Sequence, residues 1–513
     1  MLINFKNIKK TLNKYFISIT FSIFILVGFT LILHHEMWRD EIQTWLVSRD
    51  SYSISNLYLQ RKYDGHPMLW YLCVMPFTKI SRDPVVMQFV HFCLASTSIF
   101  LFLKFSPFSK IQKFFYTFGY YPFYEYAIIS RNYVLSFLLI TLFCIVYTKR
   151  FKHFLLLSLI LALLANTNVL ALIITMAISI ALLADYFIFN NKKDNYQNLA
   201  FGLVIIFLGI SIGIWSILPP NNSGFATEWN WSFSLYHIGE VFQSIIKAFF
   251  PIPNIELHFW KSHILWNPDH IIISYIFALF LLGYSLNLIY KMAVTLKQNI
   301  DIFLMFVLSM TGLLSFFYIK YVGGMRHYGF IYITFIMSYW LFISKNKSNQ
   351  TQSSDVNFLN NKEMNRHLNV ILFAGFLGWL IAACIDYKYP FSMAKQTANY
   401  IKSNNLTGAI MIGNSSHATS PIVGYLDKDK IYYPSGKRYG SYVIMDNVKQ
   451  ATKEDVLKDA SIIFNQNNKA LLILNYPLND GDIKKYHLNL LMDFKGAIVK
   501  DENYYLYTLK SDN

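Results

Sequence analysis

Two adjacent carboxylates, Asp40 and Glu41, follow closely on an uncharged run over residues 15–33. A carboxylate placed there, at a membrane boundary, can take a proton from an acceptor hydroxyl. Neighbours on a helix point about 100° apart, so the two cannot serve one site equally. A solvated, acidic loop start suits the pair as well, because charged side chains are usually exposed. The stretch His34-His35-Glu36-Met37-Trp38-Arg39-Asp40-Glu41 also holds a Trp fit for a membrane interface. Further on, Tyr63-Asp64-Gly65-His66-Pro67-Met68-Leu69-Trp70-Tyr71 joins an Asp-Gly turn, a His and an aromatic helix opened by Pro.

These residues need a scaffold, and the composition says which. The 513 residues are 54% hydrophobic and only 14% charged, with a mean hydropathy of +0.34, too apolar for a soluble globular chain. The net charge of +16 sits mostly in short loops between apolar runs, which is the positive-inside pattern and not a nucleic-acid surface. Basic clusters at 104–113, 149–152, 192–193, 291–297 and 345–366 mark the cytoplasmic loops. Threading spans between them gives about eleven helices of roughly 20 residues. They cover 15–34, 84–104, 112–129, 133–149, 153–166, 168–190, 199–218, 269–291, 301–319, 328–344 and 368–386.

The first span reads as a signal anchor, and 67–80 as a helix lying beside the membrane. The expected fold is therefore a polytopic α-helical membrane protein with a C-terminal extracytoplasmic α/β domain over 387–513. The membrane module takes 1–386, with outer loops at 35–83 and 219–268. The polar stretch 345–365 reads as a disordered connection. The four cysteines, Cys73, Cys93, Cys144 and Cys384, all lie in apolar stretches and form no CxxC motif.

Taken together, these features resemble the GT-C class of membrane glycosyltransferases, in the branch of protein O-mannosyltransferases and the aminoarabinose transferase of lipid A. Asp40-Glu41 matches the acidic motif after the first helix, and His66-Pro67-Met68-Leu69-Trp70-Tyr71 a His-Pro-Pro-Leu-Tyr-Tyr-like segment, with Met68 in place of the second Pro. Arg131-Asn132-Tyr133 matches an Arg-x-Tyr between the third and fourth spans. The resemblance lies in layout over 1–345, with few identities. It implies transfer of a sugar from a polyprenyl-phosphate carrier to a glycan, lipid or protein acceptor on the outer face of a membrane, in a bacterium the cytoplasmic one. By that resemblance Asp40 is the base, with Glu41 second, and Tyr133 and Arg131 belong to the substrate site. Some members of the class use a divalent ion; this branch generally does not, so no cofactor is required.

Such a transfer needs cations for the leaving phosphate. Outer segments, normally depleted of Lys and Arg, here carry Arg39, Arg61, Lys62, Arg131, Lys320, Arg326 and His327. Gly323-Gly324 allows a sharp turn beside Arg326, whose guanidinium can fork onto a phosphate; an ordinary turn with snorkelling basic residues fits the segment equally. Glu125 lies inside the third span, where a carboxylate must line the protein interior or pair; a polar-pocket role, such as orienting Arg131, or a simple structural pair is expected of it. His66 lacks a partner at metal-ligand spacing and is expected to be a satisfied or substrate-bonding His. Trp229, Trp231, Trp260 and Trp266 of the long outer loop serve as interfacial anchors or as a lid for the carrier's tail. A transporter of lipid-linked sugars, or a polymerase or ligase of surface polysaccharide, are the rival functions.

Overall fold

The computed structural model describes residues 14–189, 196–224, 228–265, 271–348, 355–466 and 469–509. The 192–193 lysine pair and Trp266 lie outside them. In chain order the helices are α1 (Phe16–His34), α2 (Arg39–Asp50), α3 (Ile54–Arg61), α4 (Leu69–Ile80), α5 (Val85–Phe105), α6 (Lys110–Thr117), α7 (Tyr133–Tyr147) and α8 (Phe154–Ala165). They continue with α9 (Val169–Ala184), α10 (Tyr196–Ile217), α11 (Leu235–Phe249), α12 (Ile271–Leu296), α13 (Ile300–Ile319), α14 (Met325–Ser348) and α15 (Asp355–Lys388).

Among the described residues, seven helices are long and apolar enough to cross a membrane: α1, α5, α9, α10, α12, α13 and α15. By length and composition the chain is a polytopic helical membrane protein. Large apolar side chains on α10 and α12, among them Phe207 and Ile272, point outward as lipid-facing residues do.

Of the other four expected spans, two are short helices, one lies within a longer helix and one is interrupted. Residues 133–149 and 153–166 become α7, of 15 residues, and α8, of 12. Residues 328–344 lie within α14. The 112–129 span breaks: α6 stops at Thr117, and Tyr120–Ile128 winds as a π-helical turn with all nine residues buried. Gly119 precedes this turn and Pro122 lies in it, where proline cannot donate to an α-helical ladder. The 67–80 segment is α4, whose 12 residues are too short to span; it packs along α2.

The expected loose connection at 345–365 needs correction. Residues 345–348 end α14 and 355–365 open α15, a 34-residue helix that runs on into an apolar span, while 349–354 lie outside the described residues. The composition is polar, but Leu, Lys, Glu, Met and Arg there are good helix formers.

The C-terminal part adds α16 (Ala394–Ser403), β1 (Ile410–Gly413), α17 (Ser416–Leu426), β2 (Ile431–Tyr433), β3 (Arg438–Gly440), α18 (Lys453–Gln466), β4 (Ala470–Leu474), α19 (Asp480–Lys485), β5 (Leu488–Phe494) and β6 (Tyr504–Leu509). The six strands form one sheet in the order β3-β2-β1-β4-β6-β5, with β2, β1 and β4 parallel. Strand residues alternate between two buried faces, as their period of two requires. Ile412, Leu472 and Tyr507 pack with α18, while Met411, Leu471 and Leu506 join the core shared with the membrane helices. Gly424 of α17 sits so close to α2 that a Cβ there would lie 2.7 Å from Ile42. Helix α17 thus packs directly on α2 of the first loop.

Candidate active site

Helix α2 begins the site. Its first turn carries Asp40 and Glu41, which suits the positive end of the helix dipole. Glu41, at the third helical position, turns back and accepts from the Trp38 backbone N–H at 3.3 Å. It is fully buried, and the same oxygen meets His35 Nε2 at 3.0 Å. His35 Nδ1 meets Asp386 Oδ2 at 2.8 Å, and Tyr124 donates to that oxygen at 3.0 Å. Burial alone would lower the His35 ring, but Asp386 and Glu41 raise it to about 10, so both its nitrogens donate. Glu41 therefore pins α1, α2 and α15 together and faces away from solvent.

Asp40, one residue earlier, turns the other way. Arg326 Nη2 donates to its Oδ2 at 3.0 Å, and Arg131 Nη1 stands 3.5 Å from the same oxygen. Arg131 also donates to the Asp40 backbone carbonyl and, through Nη2, meets His66 Nε2 at 3.2 Å. Because arginine cannot accept, His66 Nε2 is the acceptor and its proton sits on Nδ1. Burial, with Arg131 second, pushes His66 down to about 3, so it is neutral. Burial alone would raise the Asp40 carboxyl, but Arg131, Arg326 and Arg39 together hold it below its usual range. Asp40 is an anion with 28% of its side chain exposed.

Beside this ion cluster opens a cavity of about 230 Å³, lined by Arg326, His327, Lys261, Lys247, Trp260 and Glu240 among others. Trp38 and Trp260 meet edge to face at 4.6 Å, and the Arg326 guanidinium lies over both rings at 5.5 and 5.7 Å. The Lys261 ammonium lies over the same two rings at 5.7 and 4.8 Å. Lys261 has φ +72°, a left-handed backbone that a long L side chain adopts only under constraint. His327 completes the wall: its Nε2 is 2.9 Å from Tyr133 Oη, while Nδ1 is buried without a partner. Gly323, with φ +83°, makes the turn that delivers Arg326 and His327 at the start of α14.

The structure thus brings together Asp40, His66, Arg131, Tyr133, Arg326 and His327. Lys320 does not line the cavity; it caps α13 and stacks on Trp229 at 4.8 Å. Glu125 does not orient Arg131: it lies in the π-helical turn and accepts from Tyr120 at 2.9 Å. Arg61 is not outward-facing either. It is fully buried and ties the His66 carbonyl, at 2.7 Å, to that of Ser216. Among the described residues no three His, Cys, Asp or Glu side chains are grouped to hold a metal ion.

Two sets of residues join the site without a sequence motif. Lys261 and Lys247 belong to the long loop, where the same scarcity of outer cations that marks Arg326 points to them. Asp501 and Glu502, just before β6, carry no such signal. Glu502 Oε1 accepts the Arg39 N–H at 3.0 Å, capping α2 from the far end of the chain, and Asp501 pairs with the Arg39 guanidinium. Gln43 adds a second tie, bonding Val443 through both its N–H and C=O, at 2.9 and 2.8 Å, and Asp64 at 3.0 Å.

No protein-family model, curated protein or solved structure matches this chain, so the chemistry is read from its own residues.

Proposed function

We propose that this chain is a membrane glycosyltransferase of the GT-C type, which moves a sugar from a polyprenyl-phosphate donor to an acceptor hydroxyl. The observation that carries the reading is the Asp40 carboxylate held between Arg131 and Arg326, beside a cation-lined cavity at the helix ends. A lone carboxylate at a membrane edge fits many roles. One sharing Arg326 with a cavity lined by Lys247, Lys261 and Trp260 fits few.

In this scheme the donor phosphate enters beside Arg326, Lys261 and Lys247. The acceptor oxygen bonds to the anomeric carbon as its proton passes to Asp40, and the bond from that carbon to the phosphate oxygen breaks. The electron pair leaves with the polyprenyl phosphate, whose growing charge the cations stabilise more in the transition state than before it. A single displacement of this kind inverts the anomeric centre. Eleven crossings would put the first loop, the long loop and the C-terminal sheet on the outer face, opposite the basic loops.

Purified protein given a synthetic polyprenyl-phosphate sugar and envelope extract should release polyprenyl phosphate and label one acceptor. Mass spectrometry of surface glycans, lipids and glycoproteins from cells with and without the gene would name it. Carrier movement across vesicles with no bond cleavage would overturn the proposal in favour of a transporter.

A further inference from the structure

At the end of the helices opposite Asp40 lies a second cavity, of about 540 Å³, between the start of α1, the end of α5 and α6. Four lysines line it: Lys14, Lys104, Lys110 and Lys113. Lys347, at the end of α14, reaches the same corner and donates to the Pro107 carbonyl at 3.4 Å. Between these cations the wall is apolar, made by Phe16, Ile17, Phe100 and Phe108.

The stretches that build the cavity carry no acidic side chain of their own. No Asp or Glu occurs before Glu36 or between Asp83 and Glu125, the two stretches that build the cavity. Among the described residues no ion pair reaches Lys14, Lys104 or Lys113; Lys113 donates instead to the Leu103 carbonyl at 2.7 Å. Lys110 lies over the Phe16 ring at 5.9 Å, and Lys104 over Phe100 at 5.8 Å. Like charges gathered around an open volume repel one another, and an anion from outside the chain relieves that repulsion. The aromatic and aliphatic wall adds a second requirement, an apolar body attached to the anion. Basic cavities between membrane helices bind anionic lipid head groups on these grounds.

We propose that this cavity is a binding site for an anionic glycerophospholipid, with its phosphate among Lys104, Lys113 and Lys14 and its upper acyl chains against Phe16, Phe100 and Phe108. It is independent of the transferase site and of the carrier that site would use. The lipid would bridge α1, α5 and α6, the elements that hold the first loop and the π-helical turn from below.

The test uses the full-length protein in neutral detergent, with phosphatidylglycerol and phosphatidylcholine of matched acyl chains, read by native mass spectrometry and thermal melting. Phosphatidylglycerol should be retained at one per chain and raise the melting temperature; phosphatidylcholine should do neither. At roughly a fivefold loss per lysine, Lys104→Gln with Lys113→Gln should weaken retention about 30-fold, and the paired Arg substitutions should restore it. Should the double variant aggregate, Lys14→Gln, at the exposed start of α1, should still lower retention about fivefold. Equal retention of phosphatidylcholine would overturn the proposal, as would unchanged retention in the variants. Displacement of phosphatidylglycerol by millimolar inorganic phosphate would mark a soluble-anion site and also overturn it.

Discussion

Replacing Asp40 by Asn removes one charge and almost no volume. At an effective dielectric of about 20, Asp40 attracts Arg326 at 3.0 Å and Arg131 at 3.5 Å by roughly 5 kcal/mol each, before desolvation is subtracted. Most of that gross attraction is offset by desolvation and by the 28% exposure of the carboxylate. Arg131 keeps its bond to the backbone carbonyl of residue 40, and an Asn oxygen can still accept from Arg326. The net destabilisation should be about 1–2 kcal/mol, below the 3–5 of a fully buried broken pair. Two kinetic effects then diverge. Loss of the base should lower turnover about 10²- to 10⁴-fold. Freed from their carboxylate, the two arginines should bind the donor phosphate at least as tightly as before, so donor KM should hold or fall. The assay is release of polyprenyl phosphate from a synthetic donor, with donor binding measured in parallel. Wild-type turnover in Asp40→Asn would refute the assignment. So would a loss of donor binding as large as the loss of rate, since that marks Asp40 as a purely structural anion.

Other outcomes follow from the same geometry. Arg326→Gln should cost about 10² to 10³ in turnover, and Arg326→Lys somewhat less, because a single ammonium cannot fork onto both carboxylate and phosphate. Removing that cation should also raise the Asp40 carboxyl, so the acid limb of the pH–rate profile in Arg326→Gln should move to higher pH. Lys261→Gly should lose transfer yet melt within about 1 kcal/mol of wild type, since relief of a left-handed backbone offsets the lost cation–π contacts. Burial pushes Glu502 up to about 8, above the roughly 4.3 of an unfolded Glu, so its contribution to stability is full below about pH 4.3 and lost as pH rises through 8. Glu502→Gln, which can still accept the Arg39 N–H, should melt a few degrees higher than wild type at pH 9 and no higher at pH 4. A reporter active only in the cytoplasm, fused after Asn513, should be silent, and strong activity would refute the eleven-crossing topology.

Much of the helical framework was legible because bilayer solvation writes long apolar runs and basic loops into the sequence. The break at Gly119 was not foreseen: the run 112–129 is long and mostly apolar, as a span should be, yet Gly119 and Pro122 interrupt its helix. For the site, the outer cations Arg131 and Arg326 stood out against a background where Lys and Arg are scarce. The 100° rule kept Asp40 and Glu41 from sharing one site, and they do part: Asp40 meets Arg131 and Arg326 while Glu41 is buried against His35; the preference for Asp40 came from the resemblance. What failed was long-range pairing. Asp386 is 351 residues from His35, and Glu502 is 463 from Arg39, and no local pattern encodes a partner at that distance. Polar composition likewise misled at 355–365, where helix propensity and a continuing apolar run outweighed it.

The cap that Glu502 places on α2 has a consequence for how the protein is made. Helices α1 to α15 come off the ribosome first and can be inserted in order, but the residues that fix Arg39 beside Asp40 are made only after all of them. A chain interrupted before β6 would hold its place in the bilayer with the first turn of α2 untethered. The first turn of α2 should therefore gain its cap only after the membrane helices are in place and β6 has paired with β4 and β5.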